Sequence, residues 1–298
     1  MKQIIVKRMT LSDYISNLFY RIRFWSYRKI FKGKLKNKSS EIKDNLELTF
    51  IDEFDEVSWG NQSDDKWIIG EGWGAYNPRK PINYFGAPEL IEGTSLAKFT
   101  VKYKPKEFSV PEKHKEELGD KIIIPFEKTK IGTTKFFRQQ YGQFECRCTI
   151  PYDRGAWAAW WIWGSTWPPE IDIFELFGKK DGKSAGVQEI NLHYGKDAEN
   201  NRSSIKGWPV RIDTIKNKNE FHEFTLKWTD KKVECFTDGV KIFRYTRKDI
   251  LDKWFNVMPD ANMKLILNNG LDMKNVDLDE HDYYSEFLVD YVRVYKKK

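Results

Sequence analysis

From Leu46 onward the sequence is a succession of short apolar–polar alternations, each cut off by Gly, Pro, Asn or Asp. A period of two puts successive side chains on opposite faces of a strand, so each run has one face to bury and one to leave in water. Runs over 46–51, 97–103, 121–125, 136–151, 156–163, 187–193, 221–228, 232–237, 241–245, 263–267 and 287–295 read as strands. Asp238-Gly239 supplies a tight turn inside a meander over 221–245. Residues 59–88, 104–120 and 196–206 read as loops, and 247–254 as the one helix of this region. No internal repeat is evident. So many short strands with so little helix imply an all-β chain, an antiparallel β-sandwich.

Composition agrees with one large β domain over 46–298. Of the 298 residues, 15% are aromatic and 12 are Trp, enough for a core with rings left over for a binding surface. The three Cys are an odd number, so no disulfide framework is implied. Cys146 and Cys148 have no second Cys pair or His cluster nearby and read as packing residues.

Residues 1–45 differ. Residues 1–38 carry 11 Lys and Arg against the single acid Asp13, a charge of +10 that leaves −3 for the rest of a +7 chain. The basic balance is thus a property of this leader, which argues against a nucleic-acid-binding domain downstream. Leu11, Ile15, Leu18, Ile22 and Trp25 follow helical spacing, with Thr10 and Asp13 as a capping pair. A short basic amphipathic helix of this kind suits an anionic membrane surface or a protein partner. No stretch has the ~20 apolar residues of a membrane span, and no signal-peptide pattern is recognisable.

The chemistry concentrates in Glu170-Ile-Asp172-Ile-Phe-Glu175. On a regular strand Glu170 and Asp172 share a face and Glu175 does not. One extra residue, a β-bulge near Ile173-Phe174, would bring all three acids onto one face. Glycoside hydrolysis needs two carboxyl groups flanking the scissile bond, roughly 5–5.5 Å apart for a retaining mechanism. Glu170 and Glu175 are about 13 Å apart along a flat strand at ~3.3 Å per step, so curvature and inward-leaning side chains must close the gap. A third carboxylate between them raises one pKa, one way to keep one Glu protonated and the other ionised. A solvated acidic strand edge would show the same spacing.

The flanking sequence separates these readings. Tyr141-Gly-Gln-Phe-Glu-Cys-Arg147, Gly155-Ala-Trp-Ala-Ala-Trp-Trp-Ile-Trp163 and Glu170-x-Asp172-x-x-Glu175 resemble the YGxFExR, GxWPAFW and ExDxxE elements of glycoside hydrolase family 16, the laminarinase, agarase and carrageenase group. Ala158 and Trp160 depart from the Pro and Phe of the second element. Asp52-Glu-Phe54 with Trp67, Asn191-Leu-His-Tyr194, Phe221 to Trp228 with Asp238-Gly239, and Leu288 to Tyr295 are similar to further elements, and the likeness spans about 46–296. It implies a jelly-roll, concanavalin-like sandwich with a concave substrate cleft, and a retaining endo-hydrolase of internal β-linkages that requires no cofactor. Glu170 would be the nucleophile, Glu175 the acid and base, and Asp172 the residue that holds Glu170. His193, Trp157 and Arg147 would line the site, and a structural calcium would lie near Glu53 and Asp290.

Other residues are expected there on their own account. Trp167, three residues before Glu170, is placed to stack on a sugar, and Trp73 and Trp208 lie in Gly/Pro loops as cleft walls. Asn268 follows an apolar run and would face the sugar. The substrate class covers β-1,3-glucan, agar, porphyran and carrageenan, with Arg79, Arg138, Arg202 and Arg211 as groups for a sulfated chain. Such a substrate suggests work outside the cytoplasm. A lectin-like binding module, a transglycosylase, and an assembly protein acting through its leader are the rival readings.

Overall fold

The structure, a computed structural model, describes residues 45–60, 62–70, 83–178, 187–195, 202–206, 210–211, 220–246, 259–272, 276 and 280–298, with the backbone alone at 187, 195, 202–206 and 210–211. The leader helix, Trp73, Arg79, Trp208 and the helix expected over 247–254 lie outside the described residues. No described helix is long and apolar enough to cross a membrane.

The described strands are β1 Leu46–Asp52, β2 Ile68–Ile69, β3 Asn83–Gly86, β4 Glu89–Leu90, β5 Ala97–Ser109, β6 Lys121–Gly132, β7 Gly142–Cys148, β8 Ala156–Trp163 and β9 Glu170–Phe177. They continue as β10 Val187–Gly195, β11 Arg202–Lys206, β12 Val210–Arg211, β13 His222–Trp228, β14 Lys232–Thr237, β15 Val240–Thr246, β16 Lys264–Leu271 and β17 Tyr284–Lys297. One sheet runs β2–β6–β16–β8–β9–β10, with β11 and β12 on the far side of β10. The other runs β15–β14–β13–β7–β17, with β1 and β5 on successive stretches of β17 and then β6 and β3 beyond β5. β6 belongs to both: residues 121–128 pair with β5 and residues 130–132 with β16. All strand pairs are antiparallel except β3 with β6. This is the expected sandwich.

Alternation builds its core. Ala158, Trp160 and Ile162 of β8 and Ile171 and Leu176 of β9 point inward, as do Phe144, Cys146 and Cys148 of β7 and Phe224, Leu226 and Trp228 of β13. The layers meet where Phe174 packs on Phe224, ring centroids 4.5 Å apart. Each such large apolar side chain contributes about 1.5–3 kcal/mol on burial. The aspartate of the Asp52-Glu-Phe54 element is a structural anchor. Buried, it accepts hydrogen bonds from Trp67 Nε1 at 2.7 Å, the Phe54 amide at 3.1 Å and Ser58 Oγ at 2.5 Å.

Three expectations are corrected. Residues 59–88 are not all loop, because β2 and β3 lie within them, each paired with β6. Residues 104–120 are not one loop, because β5 runs on to Ser109 and β6 begins at Lys121, joined by a 3-10 turn at Glu112–His114 and the short helix α1, Lys115–Leu118. Their charges disguise a strand pair: Lys104 pairs across it with Glu127, and Lys121 with Glu107. Part of the 196–206 loop is β11, paired with β10.

Candidate active site

β9 carries the bulge that the spacing of its acids requires. Trp160 and Trp161, adjacent on β8, pair with Phe174 and Asp172, which leaves Ile173 as the extra residue. The register with β10 shifts at the same point, between Glu189 and Asn191. Ile173 and Phe174 are both fully buried, whereas Glu170, Asp172 and Glu175 face the other way. The bulge is pinned from beneath. Gln188 of β10, 1% exposed, donates from Nε2 to the Ile173 carbonyl at 3.4 Å and accepts from Thr237 Oγ1 of the opposite sheet at 2.7 Å. Gln188→Leu strands that carbonyl and that hydroxyl, so it should cost about 1–3 kcal/mol. Urea denaturation would show this as a lowered midpoint at unchanged slope.

Cross-strand rows set the neighbours of each acid. Glu170 lies between Trp163 of β8 and His193 of β10, Asp172 between Trp161 and Asn191, and Glu175 between Ala159 and Glu189. His193 Nε2 is 3.4 Å from Asp172 Oδ2 and 3.8 Å from Glu170 Oε1. Glu170 and Asp172 stand close enough on this face for the charge of one to act on the other. Burial, and next the charge of Asp172, push the Glu170 carboxyl up to about 8, with His193 working in the opposite direction. One donor atom each from Glu170, Asp172 and His193 falls within 4.8 Å of the others, the one cluster of metal-ligating side chains among the described residues. Glu175 is held differently. It accepts from Trp157 Nε1 at 3.0 Å and from Asn191 Nδ2. Trp157 is in turn stacked on Phe177, centroids 5.6 Å apart.

Aromatic and amide side chains extend this face. The Trp167 ring lies 5.6 Å from that of His193. Trp161 stacks on Trp163 at 6.1 Å and donates from Nε1 to Asn268 Oδ1 at 2.9 Å. Lys264 Nζ stands 4.4 Å from the Trp163 ring centre and Lys130 Nζ 5.4 Å from that of Trp161. The structure therefore gathers Trp157, Trp167, His193 and Asn268 with the three acids. It adds Trp161, Trp163 and Asn191, which sequence reasoning did not assign to the site although each has the parity of an assigned neighbour.

Arg147 is a correction. It sits on β7 in the opposite sheet, with a parity opposite to that of buried Phe144, Cys146 and Cys148, so the core separates it from the acids. There it pairs with Asp290 and lies 4.8 Å from the Phe221 ring centre. The calcium pair is a second correction. Glu53 is gripped by Arg293 through two hydrogen bonds of 2.7 Å, and Asp290 by Arg147. Two carboxylates with guanidinium partners do not fit a shared calcium, which needs six or more oxygen ligands.

Comparison with known proteins follows the same lines. The chain is 25% identical over 271 residues to a beta-glucanase of Rhodothermus marinus, covering 84% of this chain and 85% of that one. It is 27% identical over 264 residues to a glucan endo-1,3-beta-glucosidase of Cryptopygus antarcticus, covering 82% and 90%. In fold it is similar to a LamA variant of Z. galactanivorans solved with laminaritriose and laminaritetraose, at TM-score 0.62 and 19% identity, covering 84% and 98%. The sequence model of glycosyl hydrolases family 16 matches residues 98–288. A bulged strand presenting three acids in a β-sandwich, matched by that family's model over most of the chain, makes this protein a member of glycosyl hydrolases family 16 and an endo-acting glycosidase.

Proposed function

We propose that this glycosidase cleaves internal linkages of a β-glucan with retention of configuration. The observation that carries the reading is the bulge in β9, which puts Glu170, Asp172 and Glu175 on one face beside indole rings. The names of the relatives, a beta-glucanase and an endo-1,3-beta-glucosidase, support the sugar. Glu170 attacks the anomeric carbon as Glu175 protonates the departing glycosidic oxygen, giving a covalent glycosyl-enzyme and a shortened chain. Glu175, now ionised, takes a proton from water, whose oxygen displaces Glu170. Each displacement inverts the anomeric centre, so two retain it. Asp172 and His193 position Glu170 and spread the charge that its ionisation leaves.

One proton must reside on the cluster before reaction. Glu170 holds it in the free site, and attack requires it on Glu175. Above the Glu170 pKa of about 8 that proton is lost. We expect kcat/KM to fall as pH rises through about 8. Initial rates over pH 5 to 10 would check this, and a profile still rising at pH 9 would contradict it.

Reducing-end release from laminarin, mixed-linkage β-glucan, agarose and carrageenan tests the function and names the sugar. Release from a β-glucan supports the reading, and binding without release from any polymer supports a lectin. Longer products would indicate transglycosylation through the same intermediate. Galactans stay on the panel because Lys130 and Lys264, beside Trp161 and Trp163, are cations that could meet a sulfate.

A further inference from the structure

Asn191 stands two residues before His193 on β10 and is 4% exposed. Its amide nitrogen donates to Glu175 Oε2, while its carbonyl oxygen Oδ1 is buried with no hydrogen-bond partner. The other Glu175 oxygen, Oε1, accepts from Trp157 Nε1, a group that can only donate. An acid/base carboxyl must alternate between two states, one that accepts hydrogen bonds and one that donates. A primary amide can serve both by turning over, whereas an indole cannot. A buried, unmet carbonyl oxygen has lost its water and gained nothing in return, and it calls for an explanation.

We propose that Asn191 is a positioning residue that sets the proton affinity of Glu175 by presenting Nδ2 to its carboxylate and, after rotation of the amide, Oδ1 to its acid. This rests on Glu175 being the acid and base. In the free site, with the proton on Glu170, Nδ2 faces Glu175 and favours its ionised form. As the proton passes to Glu175, the amide turns and the buried carbonyl gains its donor. Other charged groups act on Glu175 as well: Glu170 and Asp172 from its own strand, and Glu189 and His193 from β10. The site face of β8 offers only Trp157, Ala159, Trp161 and Trp163, none of which titrates. Asn191 is therefore the neutral neighbour whose removal changes hydrogen bonding to Glu175 without adding or deleting a charge.

The test is a carbon-13 carboxyl titration of the Glu-labelled full chain, with Glu175→Gln assigning the resonance. Asn191→Leu removes a donor to the carboxylate and an acceptor for the acid, and because the bond to the charged form is the stronger, the Glu175 pKa rises by about 1 unit. If that variant fails to fold, Asn191→Ala, which also removes the donor and adds no charge, takes its place and shifts the same way. The acid limb of kcat/KM on laminarin should move upward by a similar amount. An unchanged or lowered Glu175 titration overturns the proposal, because a merely structural asparagine would lower stability and leave that resonance alone. If Glu175→Gln keeps full activity, the acid/base reading has failed instead.

Discussion

Glu170→Gln is expected to lower hydrolysis by several orders of magnitude while making the protein more stable. The amide keeps the shape of the side chain but cannot attack the anomeric carbon. The stability gain follows from the same carboxyl. Its ordinary pKa is 4.5 and burial with Asp172 lifts it to about 8. Between those values the native state holds a proton that the unfolded chain has released. Native stability from this group is therefore greatest at low pH and declines as pH rises from about 4.5 to about 8. An amide in place of the Glu170 carboxyl has no charge to desolvate and none to repel Asp172. The melting temperature of the variant should thus exceed that of the wild type at pH 8 and approach it near pH 4.5. Thermal scans at the two pH values read this. A variant less stable at pH 8 would mean that the cluster is not under electrostatic strain.

Phe174→Ala is expected to cost about 3–5 kcal/mol, the usual range for emptying a buried aromatic site. Phe174 is fully buried, 4.5 Å from the Phe224 ring centre in the opposite sheet and 6.1 Å from that of Trp160. It also follows the extra residue of the bulge. Removing it opens a cavity where the two layers meet and loosens the segment that turns Glu175 to the site face. A loss of this size is a large part of the 5–15 kcal/mol that typically holds a domain together. Urea denaturation with an unchanged slope would measure it. A cost below about 1 kcal/mol would show that the ring carries little of the packing across the layers.

The strand run was legible because burial on one face enforces alternation, and the bulge was legible because three acids in six residues share a face only with one residue inserted. The far part of β5, residues 104–109, was not, since its charges read locally as a loop and only cross-strand pairs such as Lys104 with Glu127 explain them. Arg147 was misplaced because its motif suggests a site while its parity, opposite to Cys146 and Cys148, faces it away. The Glu53 to Arg293 pair joins residues 240 apart in sequence, a distance no local signal spans. Asn191 shares the parity of His193, so its face was legible, but its bond to Glu175 crosses from β10 to the bulged β9 and has no local signal.

The central claim is double displacement by Glu170 and Glu175 on a β-glucan. Proton NMR of a laminarin digest, recorded before mutarotation, tests it most directly. The account predicts that β-configured reducing ends appear first and α ends follow as they equilibrate. Reducing ends that appear first in the α form would contradict it, because a single displacement by water would then be the chemistry of this site.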